Sequence, residues 1–152
     1  MHRYFLLFGV LIGFAHCQTR QTTGDTSTDA GNAPADSTAQ CYQYVSATDT
    51  VRLNLTRTGE VVRGELTYQL AGKDRNAGTL TGQMRGDTLL ADYTFRSEGT
   101  ESVRQVAFVE GDGGFVEGYG PVREEGSRMI FTNPGGLTFD ARRVLTKTDC
   151  PD

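Results

Sequence analysis

A period-two alternation of apolar and polar residues constrains the fold most strongly, and it begins at Tyr42. Val51, Leu53 and Leu55 alternate with polar residues, as expected for a strand that buries one face. No stretch of this region shows a helical period. The same strand-like pattern or a short apolar run recurs at 62–70, 80–84, 89–95, 103–109, 115–119, 129–132 and 137–141.

Glycine-containing turns separate these segments. Gly59, Gly86 and Gly113 lie 27 residues apart, a spacing that a regular meander of ten-residue strands produces by itself. Strands in simple succession predict an all-β fold, an antiparallel meander of about eight strands closed into a small up-and-down, calycin-like β-barrel. Closure removes the exposed sheet edges that invite aggregation. A β-sandwich is the alternative.

The first sixteen residues have the organisation of a removable signal peptide. His2 and Arg3 precede the apolar run 4–15, which is shorter than the roughly twenty residues that span a bilayer. Cys17 follows, and the arrangement resembles the signal peptides of bacterial lipoproteins, whose cysteine carries the lipid. His16 and Phe14 depart from the usual small residue and leucine, and such loosened motifs are similar to those of Bacteroidota-type lipoproteins. Cleavage without lipidation is the alternative.

Residues 17–40 are expected to form a tether. Between Gln18 and Gln40 the chain has no aromatic and no large aliphatic residue, so burial cannot offset the entropy of ordering it. Cys17 is followed by Gln-Thr-Arg, without the aspartate or the acidic run that sorting rules associate with other destinations. Resemblance to those rules implies a cell-envelope lipoprotein on the periplasmic face of the outer membrane, held to the membrane by the lipid on Cys17.

Cys41 and Cys150 flank the remaining domain, residues 41–152. An even pair in an oxidising compartment predicts a disulfide that joins the two ends of the meander. Free thiols or intermolecular pairing are the alternatives. The spacing does not suit a thiolate metal site, and we expect neither a metal nor a cofactor.

Composition excludes several functions. Without residues 1–16 the chain has 14 Lys and Arg against 19 Asp and Glu, a net charge of about −5, with no basic run. Nucleic acid is therefore not an expected partner. His2 and His16 both lie in the leader, so the remaining chain has no histidine for a Ser-His-Asp or Cys-His site or for zinc.

Carboxylates remain as candidate functional groups. Glu117 shares the parity of Phe115 and Tyr119, so it points into the barrel if they do. Arg104 on the preceding strand could pair with it, because a buried acid needs a partner. Arg104 and Glu117 are interpreted either as a polar anchor in a ligand cavity or as a structural ion pair. Glu98 and Asp92 are the other acids considered for two-carboxylate glycan hydrolysis.

The segment from Gly82 to Gly120, with its GDTL, YTF, SEG, SVR and EGYG strings, resembles a group of uncharacterised small lipoproteins of Bacteroidota. The resemblance implies no known activity. Lysozyme-inhibiting barrel lipoproteins are similar in size and in their expected cellular location, but their inhibitory motif is not found in this sequence.

The functional expectation is a non-catalytic, membrane-anchored envelope lipoprotein. Its barrel would bind a small apolar ligand or an envelope protein, since an eight-stranded barrel has room for side chains or one small ligand. A carboxylate-dependent glycan-active enzyme and a lysozyme-inhibitor-like protein are the alternatives.

Overall fold

The computed structural model describes residues 37–97 and 99–151. The predicted signal peptide 1–16, the lipidation of Cys17 and nearly all of the predicted tether lie outside these residues. No helix in the described ranges is long and apolar enough to cross a membrane. The strands are β1 (Ala39–Val45), β2 (Thr50–Thr58), β3 (Val61–Gln69), β4 (Asn76–Arg85), β5 (Thr88–Ser97), β6 (Thr100–Gly111), β7 (Gly114–Tyr119), β8 (Val122–Glu125), β9 (Arg128–Phe131) and β10 (Thr138–Thr148), with a 3₁₀ turn at Pro134–Gly136.

Eight of these strands close into an antiparallel barrel. Strands β1 to β7 pair with their neighbours in chain order, and β10 returns between β7 and β1. The predicted all-β fold and the small meandering barrel are confirmed. The sandwich alternative is not formed, because β5 pairs with β6 along its whole length and leaves no break between two sheets.

The two ends of the barrel differ. At one end, two-residue turns join β2 to β3, β4 to β5 and β6 to β7, with Gly59 and Gly86 at positive φ. We call this the closed end. At the other end, the open end, lie the longer connections 46–49, 70–75 and 120–137. The chain enters β1 at the closed end, since Ala39 pairs with Thr56 near the β2–β3 turn.

The predicted alternation determines which side chains fill the barrel. Leu53, Leu66, Leu80 and Phe108 are fully buried, while their polar neighbours on each strand face outward. Burial of this apolar face is the main favourable contribution to folding. The buried core consists of Tyr42, Val51, Leu53, Leu55, Val62, Leu66, Tyr68, Leu80, Met84, Leu89, Ala91, Tyr93, Val106, Phe108, Phe115 and Leu145.

The predicted disulfide is present. Cys41 and Cys150 are joined with their Cα atoms 5.2 Å apart, across a separation of 109 residues. The bond ties β1 to the segment after β10, next to the ladder that already pairs these strands. Since the closed sheet, the core and the cross-link all lie within residues 39–150, this segment has what a domain needs to fold on its own.

A short hairpin outside the barrel differs from the sequence expectation. The apolar pattern predicts no strand between 119 and 129, yet β8 lies there and pairs with β9. All four β8 residues are exposed, so they carry no apolar alternation to predict a strand. Strand β9 also pairs in parallel with β6 at Val103 and Arg104. Outside the barrel wall, Arg128 of the hairpin forms an ion pair with Asp92 of β5.

Candidate functional site

The barrel wall opens between β6 and β7 near the open end. Their ladder runs from Gly111–Gly114 to Ala107–Gly118 and stops there. Beyond that point β9 takes over as the neighbour of β6, and the Gln105 side chain accepts a hydrogen bond from the backbone N–H of Phe131 at 3.1 Å. The two strands therefore separate where β9 and its Phe131 are brought in.

A cavity of about 560 Å³ lies at this opening. This volume is in the range of small-molecule sites. The Phe139 ring packs where a Cβ on Gly118 would sit, 2.6 Å away, so only glycine allows this packing at the edge of the opening. The walls are formed by Tyr68, Leu70, Lys73, Asp74, Asn76, Ser97, Arg104, Gln105, Val106, Glu117, Gly118, Tyr119, Gly120, Val122, Phe131 and Arg143.

Glu117 is held by two tyrosine hydroxyls. Tyr68 on β3 donates to its Oε1 at 2.6 Å across the barrel interior, and Tyr119 on β7 donates to its Oε2 at 2.7 Å. Burial, followed by the Glu117 charge, raises the pKa of Tyr68 well above its ordinary value. The same two causes in the same order raise the pKa of Tyr119. Both hydroxyls therefore stay protonated and able to donate near neutral pH.

Arg104 lies among aromatic rings. It points inward from β6, opposite Tyr93 in the ladder. The guanidinium carbon is 5.1 Å from the ring centroid of Tyr68, 5.4 Å from that of Tyr93 and 5.3 Å from that of Phe95. These distances are those of cation–π contacts. The Nε atom of Arg104 is buried and has no hydrogen-bond partner within the described residues.

The two residues predicted as a cavity polar pair line the same cavity, but the contacts of each are with aromatic residues. In the described ranges, Arg104 and Glu117 form no ion pair within 4.0 Å. Sequence reasoning did not identify Tyr68 as a partner of Glu117 or the rings around Arg104. The inward parity of Tyr68, Tyr93 and Phe95 was the available signal, but it does not say which inward side chains meet.

The acids considered for glycan hydrolysis are not brought together in the described chain. Asp92 lies between the inward-facing Ala91 and Tyr93, so it faces outward and pairs with Arg128. Glu117 faces the interior. Glu98 lies outside the described residues. Asp92 and Glu117 are therefore on opposite faces of the wall and cannot act on one glycosidic bond.

The remaining polar atoms of the site include a second unpartnered group. The Asn76 side-chain oxygen in the cavity wall is buried without a donor in the described structure. Among the residues that the structure places, no group of three or more His, Cys, Asp or Glu side chains could hold a metal ion.

Comparison with known proteins gives no family: no family model matches the chain, and neither the curated proteins nor the solved structures contain a significant match.

Proposed function

We propose that this chain is an exported envelope lipoprotein whose barrel binds a small ligand, without catalysis, in the cavity at its open end. The cavity is the observation that supports ligand binding. It has a volume suited to a small molecule, largely apolar walls, and a few polar groups that could fix an orientation. The rest of the interior is filled by the buried core, so the ligand would occupy the mouth of the barrel.

The direction of the chain supports anchoring from the opposite end. The barrel begins at Ala39 at the closed end, and the disulfide that fastens the C-terminal segment involves β1 as well. A lipid on Cys17 would attach the protein upstream of that end. The mouth, at the opposite end, would then be free of the membrane attachment and open to molecules in the compartment.

Ligand binding is tested by native mass spectrometry. A Cys17→Ser chain is purified as a soluble protein from the envelope of the host that exports it, and we expect a co-purifying small molecule. Leu70→Trp, in the cavity wall, should abolish this extra mass because the indole fills the mouth. Val61→Trp is the matched control: Val61 is at the closed end, 42% exposed, and should retain the ligand. A bare mass for the unmodified barrel would contradict the proposal.

Lipidation is tested separately. The wild-type chain should incorporate labelled palmitate and sediment with membranes, and Cys17→Ser should do neither. A Cys41→Ser/Cys150→Ser chain is the control, because it removes the other two cysteines, which form the disulfide, and leaves the proposed lipid site intact. If Cys17→Ser still incorporates labelled palmitate, or if the wild-type chain incorporates none, the anchoring proposal is wrong.

A further inference from the structure

The guanidinium of Arg104 lies among three aromatic rings, and its buried Nε has no hydrogen-bond partner among the described residues. Tyr68, Tyr93 and Phe95 surround its carbon at 5.1–5.4 Å. Contacts with ring faces use the plane of the guanidinium and leave its N–H donors unused. A buried donor without an acceptor is costly, so native proteins rarely leave one unsatisfied. Arg104 nevertheless has such a donor, at Nε.

Glu117, the inward-facing acid of the described cavity wall, is held by other donors. Both carboxylate oxygens of Glu117 accept hydrogen bonds, one from Tyr68 and one from Tyr119. These bonds hold the carboxylate against the tyrosines, and it does not form an ion pair with Arg104. The described site therefore contains a preorganised cation whose hydrogen-bonding edge has no protein acceptor.

The charge and polarity of the cavity agree with an anionic, partly apolar ligand. Lys73, Arg104 and Arg143 line it together with Asp74 and Glu117. Arg143 also pairs with Asp49, whereas Arg104 has no ion-pair partner among the described residues. At the rim, Tyr119 and Val122 are each 48% exposed and leave apolar surface for a ligand to cover.

We propose that the ligand is an amphipathic monocarboxylate, with its carboxylate on the Arg104 guanidinium and its apolar part against Tyr119 and Val122. A planar guanidinium binds a carboxylate through two parallel N–H···O hydrogen bonds, which gives this class an advantage over neutral molecules of the same shape. A single inward cation among aromatic rings suits one negative charge. This inference rests on the proposed ligand-binding function and specifies its chemistry.

The test uses octanoate and its neutral counterpart octan-1-ol with the fragment 37–152. The Arg104 Nε–H resonance should shift downfield on titration with octanoate and stay in place with octan-1-ol. Arg104→Gln should weaken octanoate binding by about tenfold or more, the usual effect of losing a charge-assisted hydrogen bond, and change octan-1-ol binding by less than about twofold. Arg104→Lys should weaken octanoate binding by an intermediate factor, because it keeps the charge and loses the planar fork.

Arg123→Gln is the matched control, since Arg123 is exposed on β8 outside the cavity and should leave octanoate binding unchanged. If Arg104→Gln does not fold, the Nε–H shift of the wild-type fragment and the affinity of Arg104→Lys still test whether the carboxylate binds Arg104. Octanoate binding that does not move the Nε–H resonance, or equal affinity for octan-1-ol, would overturn the carboxylate assignment. A neutral co-purifying ligand would also overturn the carboxylate assignment, but it would leave the proposed ligand-binding function standing. A bare mass for the unmodified barrel would contradict both proposals.

Discussion

Tyr68 and Tyr93 are neighbours inside the barrel and differ in what their hydroxyls contact. Their ring centroids are 5.9 Å apart. The Tyr68 hydroxyl donates to Glu117, whereas that of Tyr93 is buried with no partner among the described residues. The two residues therefore form a matched pair in which removal of one oxygen breaks a hydrogen bond and removal of the other does not.

Tyr68→Phe should lower the free energy of unfolding by about 2 kcal/mol, since it removes a hydrogen bond to a charged group. Tyr93→Phe should leave it unchanged or raise it slightly, because it removes an unsatisfied buried hydroxyl. Urea unfolding at neutral pH measures both. Equal losses in the two variants would contradict the hydrogen-bonding assignment.

The buried tyrosines also determine how stability responds to alkaline pH. Burial raises the pKa of Tyr93 from 10.0 to about 12, and Tyr68 and Tyr119 are raised as well. A folded-state pKa above the unfolded one means that the contribution is complete below pH 10 and is lost as pH rises through the folded-state value. The contribution of these tyrosines to the free energy of unfolding should therefore be constant up to about pH 10 and fall above it.

The alkaline fall should be shallower in Tyr93→Phe, which has one fewer group that must ionise on unfolding. Urea unfolding between pH 8 and pH 12, with tyrosinate absorbance followed in parallel, provides the measurement. Tyrosinate formation at pH 10 in the folded protein by all of its tyrosines would show that these hydroxyls are not protected.

At the scale of elements, glycines on the inner face let strands bend at the barrel corners. A Cβ on Gly64 in β3 would lie 2.0 Å from the backbone oxygen of Asn54 in β2. No side chain fits there unless the ladder between the two strands moves. The alternation alone placed Gly64 on the inner face, but it did not show that the neighbouring backbone approaches it so closely.

Gly64→Ala should lower the free energy of unfolding by about 3 kcal/mol, at the upper end for overpacking, because backbone and not a flexible side chain must give way. Gly113→Ala is the control: its Cβ would meet only a Val144 methyl carbon at 3.6 Å, and its stability should stay within about 1 kcal/mol of wild type. Thermal and urea unfolding of the two variants should separate clearly, and similar stabilities would refute the close approach.

Strand β8 shows where pattern reasoning fails for an element. Its residues, VREE, are all exposed and give no period-two signal. It forms because β9 supplies a hydrogen-bonding partner, and β9 in turn is held by the part of β6 that β7 leaves unpaired. The opening of the cavity depends on the same exchange of neighbours, so it could not be predicted from apolar periodicity.

For the whole molecule, the disulfide is the cross-link between the two ends of the chain that forms the barrel. It closes a loop with a sequence separation of 109 residues. Reduction of the fragment 37–152 should lower the free energy of unfolding by about 4 to 5 kcal/mol in the chain-entropy estimate for a loop of this length. Urea unfolding with and without a phosphine reductant measures the change.

A Cys41→Ser/Cys150→Ser fragment is the control for that measurement. It should unfold at the lower urea concentration and show no response to the reductant. An unchanged midpoint on reduction of the wild-type fragment would mean that the β1–β10 ladder alone holds the ends together.

The sequence by itself predicted most strands of the barrel, their inward faces and the pairing of Cys41 with Cys150, because alternation, turn residues and cysteine number are local or countable properties. The expected segment 137–141 covers only the first part of β10, and the expected segment 129–132 forms β9 outside the barrel. The sequence also predicted that Glu117 and Arg104 lie inside the barrel on neighbouring strands, and both line the cavity. Tertiary structure decided that Glu117 meets Tyr68, which is 49 residues away across the barrel, and that three rings surround Arg104. These contacts follow from the register and curvature of the closed sheet, which depend on all its strands together, and no single segment encodes them.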